Sequence, residues 1–221
     1  MDHQAGMRLY GFWRSIASFR VRVALRLKEL PFEETSVDIL SGEQFGPAYK
    51  DVNAGRVVPT LVHNGHTISQ SLAIIEYLEE VSPSLPLIPV GARERAHARS
   101  LALVTIADAH PLVTPRVRNH LANALQADGV AIEEWAKHWT REGLATYQRL
   151  LSSYPPAPFT FGRAPGLADI CIAGHVVSAQ FLKLDMHDFP AVARLADHCF
   201  QIPDFSISHP FEQPGYRVVD Q

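Results

Sequence analysis

Cysteine is scarce in this 221-residue chain: there are two, Cys171 and Cys199, far apart and each in an apolar segment. They make no C-x-x-C pair and no metal-ligand spacing with histidine, so neither a disulfide framework nor a metal site is expected. Buried, reduced thiols in a cytoplasmic protein are the expectation instead. An excess of basic charge is also lacking. With 20 Lys+Arg against 23 Asp+Glu the net charge is −3, which argues against the basic stripe of a nucleic-acid binder. No apolar run approaches the roughly 18 residues of a membrane span, and Met1–Gly6 is polar, with none of the apolar core of a signal peptide. Internal repeats and low-complexity tracts are missing too. What remains is an ordinary globular composition, 47% hydrophobic and 19% charged, long enough for one large domain or two small ones.

Arg8–Phe12 reads as a short strand that runs into a turn at Trp13–Ile16. The run Phe19-Arg20-Val21-Arg22-Val23-Ala24-Leu25 alternates like a strand. The helix formers Ala24–Glu29 and the stop at Pro31 nevertheless assign it to a helix. A hydroxyl in Arg14-Ser15-Ile16-Ala17-Ser18 would stand where strand turns into helix, beside unpaired N–H groups that favour negative charge; the segment alone admits both a plain cap and an anion site. Phe32–Val37 reads as a second strand, Ser41–Lys50 as a weakly helical piece, and Val57–Val62 with Thr67-Ile68 as a hairpin turning at Asn64-Gly65. Pro59 cannot donate to a ladder, so it belongs at a strand end or edge, where a cis bond would turn the preceding backbone outward. Ser69 or Ser71 can cap a helix over Leu72–Glu80, whose start forms a second anion site.

Ser82–Gly91, with three prolines, reads as a linker. Beyond it the period is helical: Ala92–Ala109, Pro111–Ala127, Ala131–Ser153, Leu167–Phe181 and Ala191–Cys199. Trp135 and Trp139 face the core at an i, i+4 spacing, and Pro203–Gln221 is an irregular tail. The chain is thus α/β plus all-α. Its expected domains are residues 7–84 and 92–221, joined by 85–91.

Val58-Pro59 before the hairpin and Gln70-Ser71 opening the next helix give a layout that resembles the cytosolic glutathione transferases, a thioredoxin-like domain joined to a helical domain. Arg14-Ser15 followed by Ser18-Phe19-Arg20-Val21-Arg22-Val23-Ala24-Leu25 is similar to the zeta-class pattern R-S-S-C-S-x-R-V-R-I-A-L. Gln70–Glu80 matches a second signature of that class, which includes the maleylacetoacetate and maleylpyruvate isomerases. His110-Pro111-Leu112, Arg116-Val117, His209-Pro210 and Gln213-Pro214 fit its bacterial branch.

The resemblance implies glutathione as cofactor, a small electrophilic substrate and a homodimer. It implies that Gln70 and Ser71 hold the γ-glutamyl carboxylate, that the Val58 backbone pairs with the cysteinyl part, and that Gln44 meets the glycyl end; His110 is a further glutathione contact. Ser15 is the residue placed beside the sulfur, where a donated hydroxyl stabilises a thiolate. Arg14 joins it as a catalytic and substrate-binding group, and Arg116 pairs with a substrate carboxylate. Two departures stand out. The class serine and cysteine after Ser15 are Ile16 and Ala17, and an arginine expected in the helix before Lys183 is Phe181, an aromatic wall in the substrate pocket. Asp169, in Gly166-Leu167-Ala168-Asp169, is assigned to folding, with the usual Ser/Thr of its capping box replaced by Gly166.

Three functions follow as expectations. The first is cis–trans isomerisation of a maleyl-type acid with glutathione returned. The second is transfer of glutathione to, or dehalogenation of, an apolar electrophile, suggested by Ile16, Ala17 and Phe181. The third is a non-catalytic glutathione-binding module.

Overall fold

Alternation over Met7–Gly11 buries Met7, Leu9 and Gly11 and turns Arg8 outward, which makes β1 a strand with one face in the core. The computed structural model describes residues 6–216, in two compact units: the described residues to Pro86 together with those from Pro203 onward, and Leu87–Ile202. The expected linker at 85–91, with everything after it in a second domain, does not match this division. The boundary falls between Pro86 and Leu87, and the tail groups with the first unit.

In the first unit α1 (Ile16–Leu27) follows β1 and is buried almost all round, Arg20 and Arg22 included. The parallel partner β2 (Phe32–Ser36), the helix α2 (Pro47–Val52), the hairpin β3 (Thr60–His63) and β4 (His66–Ser69), and α3 (Ser71–Val81) come next. The sheet order is β2-β1-β3-β4, with β3 antiparallel to β1. Asn64 and Gly65 turn the hairpin at φ 50° and 75°, the left-handed pair that an Asn-Gly turn supplies. In α3 the buried Ile74, Ile75 and Leu78 recur at helical spacing as one apolar stripe, with the buried Ser71 a turn before them.

The tail is not irregular. Pro203–Ser208 forms α9, followed by a single 3-10 turn at Pro210–Glu212. Fully buried Phe205 meets Phe19 of α1 edge-on, with ring centroids 6.5 Å apart, which is why six residues without a visible period still fold. Further on, Tyr216 lies 5.6 Å from the Trp13 ring, and a Cβ on Gly215 would stand 2.5 Å from Trp13 Cδ1.

The second unit holds α4 (Ala92–Leu103), α5 (Pro115–Ala124), α6 (Gly129–Leu151), α7 (Leu167–Phe181) and α8 (Pro190–Phe200). Two expected helices are broken. The helix expected to Ala109 leaves α geometry at Val104 for a π-helical turn, Val104–Ala109, in which the Thr105 hydroxyl bonds back to the Ala102 carbonyl at 3.0 Å. The helix expected from Pro111 begins as a 3-10 turn, His110–Val113. Thr114 is then held extended (ψ 156°) by the ring of Pro115, and α5 starts only there. The two tryptophans at 135 and 139 are half-buried rather than core, and Trp135 Nε1 donates to the Leu112 carbonyl at 2.8 Å, tying α6 to that 3-10 turn.

Helix α7 is buried along nearly its whole length, apolar all round except for Asp169, His175, Ser178 and the exposed Gln180 near its end. His175 sits at its centre with Nε2 2.9 Å from the Thr140 carbonyl, and Gly143 of α6 leaves room for it. A Cβ at 143 would collide with His175 Nε2 and stand 2.8 Å from the Ala109 Cβ. Gly143→Ala is therefore expected to destabilise the protein by about 2–3 kcal/mol, as overpacking does; an unchanged thermal midpoint would contradict this. Leu87 and Ile88, expected in the linker, are buried in this unit, and the Leu87 carbonyl accepts from the Leu167 N–H at 2.8 Å. That carbonyl also accounts for Gly166: a Cβ there would lie 2.6 Å from it, so the position is barred to the usual Ser or Thr. Asp169 still fills its half of the box by accepting from Gly166 N–H at 2.8 Å. Cys171 and Cys199 are both buried, and burial pushes the Cys199 thiol far above its ordinary value. Among the described residues no helix is long and apolar enough to cross a membrane.

Candidate active site

Strand register gathers the first unit's candidates at one end of the sheet. Tyr10 pairs with Thr60 and Thr60 with Ser69, so the residues after β1, before β3 and after β4 leave from neighbouring points. Those residues are Trp13–Ser15, Val58-Pro59 and Gln70-Ser71. Ser36 at the end of β2 pairs with Gly11, and the loop that follows leads to Gln44.

Ser15 is the N-cap of α1, half-buried, with φ −72° and ψ 119°. Its Oγ accepts the Ser18 N–H at 3.1 Å. The cap uses a lone pair and leaves the hydroxyl proton to be donated elsewhere, so capping and thiolate stabilisation are compatible in one side chain. Ser18 serves the turn instead, for it is fully buried and its Oγ accepts the Phe12 N–H at 3.3 Å. Ile16 is buried as well, while Ala17 is half-buried and Arg14 is exposed.

At α3 the exposed Gln70 holds φ 73° and ψ 120°, a left-handed conformation that costs a non-glycine residue of order 1–3 kcal/mol. That strain aims the first turn of the helix. Ser71 is buried at 4% exposure, and Arg20 Nη1 donates to its Oγ at 3.3 Å. The hydroxyl, accepting from a buried cation, can direct its own proton at an anion at the helix start.

The Val58–Pro59 bond is cis. Just before it, the Val57 carbonyl is taken by Tyr49 Oη at 2.6 Å and Asn53 Nδ2 at 3.0 Å, and both side chains also reach Thr60 Oγ1. Burial raises the Tyr49 phenol, which keeps it a neutral donor. With its neighbour's carbonyl taken up, Val58 keeps its own N–H and C=O outside any hydrogen bond among the described residues, which is the condition for strand-like pairing with a peptide. Gln44 lies in a 3-10 turn, Glu43–Phe45, where Nε2 donates to the Ile39 carbonyl at 3.3 Å and the buried Oε1 has no partner among the described residues.

The second unit carries the remaining candidates. Half-buried His110 stands where the π-helical turn meets the 3-10 turn, and exposed Arg116 lies in the first turn of α5, where its charge adds to the helix dipole. Phe181 closes α7, half-buried.

Comparison with known proteins gives a consistent result. Residues 14–81 match the glutathione S-transferase N-terminal domain family. A maleylacetoacetate isomerase from Dictyostelium discoideum is 36% identical over 208 residues, 93% of this chain and 94% of that protein. A maleylpyruvate isomerase from a Ralstonia species is 35% identical over 209 residues, covering 94% and 99%. The chain belongs to the zeta-class glutathione transferases, the maleylacetoacetate and maleylpyruvate isomerase family. Its fold agrees: the holo structure of a bacterial zeta-class maleylpyruvate isomerase superposes with a TM-score of 0.92 at 34% identity, over 95% of this chain and all of that one. A maleylacetoacetate isomerase from Methylobacterium extorquens AM1, solved with malonate and glutathione bound, also gives 0.92, at 36% identity over 96% of this chain and all of that one.

In this zeta-class chain, three residues of the first unit escape a reading of the sequence: Arg20, Arg22 and Glu34. The available signal is two arginines, two residues apart, inside an otherwise apolar helical run. Such charges are buried only when paired.

Proposed function

We propose that the chain is a glutathione-dependent cis–trans isomerase of a maleyl-type acid. The observation that carries this reading is the Ser15 side chain, which caps α1 with its oxygen and keeps its proton to donate, at the sheet end where Val58 and Ser71 also present hydrogen-bonding groups. The residues present fit glutathione: a strained Gln70, a buried hydroxyl on a cation, an unengaged Val58 backbone and a buried amide oxygen on Gln44 are suited to a ligand with a carboxylate at each end and peptide bonds between.

Bound glutathione supplies the nucleophilic sulfur whose reversible addition to the maleyl double bond permits rotation to the trans isomer. Ser15 donates to that sulfur and, with the dipole of α1, favours its ionised form. Gln70 and Ser71 orient the γ-glutamyl end, Val58 the cysteinyl backbone and Gln44 the glycyl end, and His110 is the further glutathione contact that the family resemblance implies. Arg14 and Arg116 meet the substrate carboxylates through bidentate pairing, and Phe181 offers an aromatic wall. A relative from Anaeromyxobacter dehalogenans, 32% identical, was solved with dicarboxyethyl glutathione and citrate in its active site, which supports an acidic substrate. A cytoplasmic homodimer, with the first unit binding glutathione, completes the proposal.

The alternative, glutathione consumption on an apolar electrophile, is favoured by Ile16, Ala17 and Phe181 standing where polar groups are expected. One assay separates the two. Maleylpyruvate or maleylacetoacetate is incubated with sub-stoichiometric glutathione while absorbance and thiol are followed. Many turnovers without thiol loss are expected. Thiol loss with a chloroarene and no isomerisation would establish the transferase instead, and no reaction with either despite glutathione binding would leave a non-catalytic binding module.

A further inference from the structure

Two residues of α1, one helical turn apart, hold both backbone groups of Phe12. Ser18 Oγ accepts the Phe12 N–H at 3.3 Å, and Arg22 Nη2 donates to the Phe12 carbonyl at 3.0 Å. The same carbonyl accepts the Ser15 N–H at 3.0 Å, and Arg22 Nη1 reaches the Trp13 carbonyl at 3.4 Å. The three-residue turn that delivers Ser15 is thus fastened from beneath by one guanidinium. That guanidinium is in turn fixed by Glu34 of β2, with Nε 3.0 and 2.8 Å from the two carboxylate oxygens and Nη2 2.7 Å from Oε1. The Arg22 side chain is 1% exposed and that of Glu34 23%. Gly11 completes the arrangement, because a Cβ there would collide with Glu34 Oε1.

A pair that only tied α1 to β2 would have no use for the turn carbonyls. Here the planar fork directs one edge at the carboxylate and the remainder at Phe12 and Trp13, a division that a lysine cannot reproduce. We propose that Arg22, held by Glu34, whose carboxylate Gly11 gives room, is the positioning residue of the Ser15 turn. It sets the backbone from which the hydroxyl reaches the sulfur. The Ser18 N–H then sets the rotamer. This rests on the glutathione reading above, in which Ser15 is the sulfur's donor.

Two measurements test it. The first is amide hydrogen exchange over Trp13–Ser18 in the protein without glutathione; the second is the ultraviolet titration of bound glutathione, which reads the fraction of thiolate against pH. Arg22→Lys is expected to speed exchange at Ser15 by at least tenfold. It is also expected to lower the ratio of thiolate to thiol at a given pH roughly tenfold, one unit of thiol pKa, while the glutathione Kd changes less than about threefold, since Gln70, Ser71 and Val58 are untouched. Gly11→Ala, which displaces the Glu34 carboxylate without altering Arg22, and Glu34→Gln are expected to show the same two effects more weakly; they carry the test if Arg22→Lys does not fold. A lower melting temperature with unchanged Ser15 exchange and unchanged thiolate fraction would reduce the pair to a structural tie and overturn the proposal. A wild-type protein that binds glutathione with no thiolate signal would give a different pattern, overturning the Ser15–sulfur reading and this inference with it.

Discussion

Ser15→Ala is expected to lower kcat about 100-fold while glutathione affinity stays within about twofold. Removing one donor aimed at developing or resident negative charge in a shielded site costs 10²–10³ in rate; about 100-fold corresponds to about 2.7 kcal/mol. The class pattern would offer further polar groups after Ser15, but here those positions are the buried Ile16 and the alanine at 17, so neither of them supplies a replacement donor. The same substitution removes the cap on the Ser18 N–H, which costs about 1 kcal/mol of stability. Kinetics must therefore be compared at a temperature where both proteins are folded. The two effects separate by pH. With Ser15 gone, the thiol is expected to titrate closer to its free value near 8.5, so the acidic limb of the rate profile moves up. Ser15→Thr, which keeps both the cap and the donor, is expected to restore most of the rate. Equal kcat in wild type and Ser15→Ala would assign the sulfur to another partner.

Asp169→Ala is expected to be the most destabilising single change in the second unit, about 3–4 kcal/mol, enough to unfold many domains of ordinary stability. The carboxylate is 1% exposed and accepts three bonds, from Thr160 N–H at 2.8 Å, Thr160 Oγ1 at 2.7 Å and Gly166 N–H at 2.8 Å. Deleting it strands those donors beside Tyr147, whose hydroxyl donates to the Ala168 carbonyl at 3.1 Å. Burial raises the Asp169 carboxyl above its ordinary value, with the donated bonds opposing. The folded state therefore takes up this proton at a higher pH than the unfolded chain. The group's contribution is largest below the unfolded pKa and declines as pH rises through the folded one. Asp169→Asn, which cannot titrate, is expected to abolish that dependence and cost less than alanine. A thermal midpoint for Asp169→Ala within a degree of wild type would show that the box is dispensable.

The residues that can be read from sequence are those whose cause is local. Asn64-Gly65 dictates a hairpin turn and the Gln70–Glu80 run dictates a helix, and both elements stand where the sequence puts them. Where the cause is distant, the chain is silent. The π-helical turn at Val104–Ala109 looks like continuous helix because Thr105 and Ala109 have no local signature of it; the helix they face, with Gly143, lies thirty-odd residues on. Gly166 looks like a lost capping residue and is instead the space for the Leu87 carbonyl. The break before α5, in contrast, is available in Pro115 and is masked by the apolar period around it. At the proposed site the Ser15 cap can be read from the sequence and its support cannot: Arg22 and Glu34 are twelve residues apart on different elements, and only the register of β1 with β2 brings the carboxylate under the turn.

The tail's return to α1 has a consequence for the order in which the protein can be made. The unit that starts before Leu87 lacks the Phe205 ring that meets Phe19, and the Tyr216 ring against Trp13, until residues 205 and 216 have been translated. Leu87–Ile202, contiguous in the chain, has all of its residues before then. The unit bearing Ser15 is thus begun before Leu87–Ile202 and completed after it, so the packing around α1 waits on residues that follow the whole helical unit.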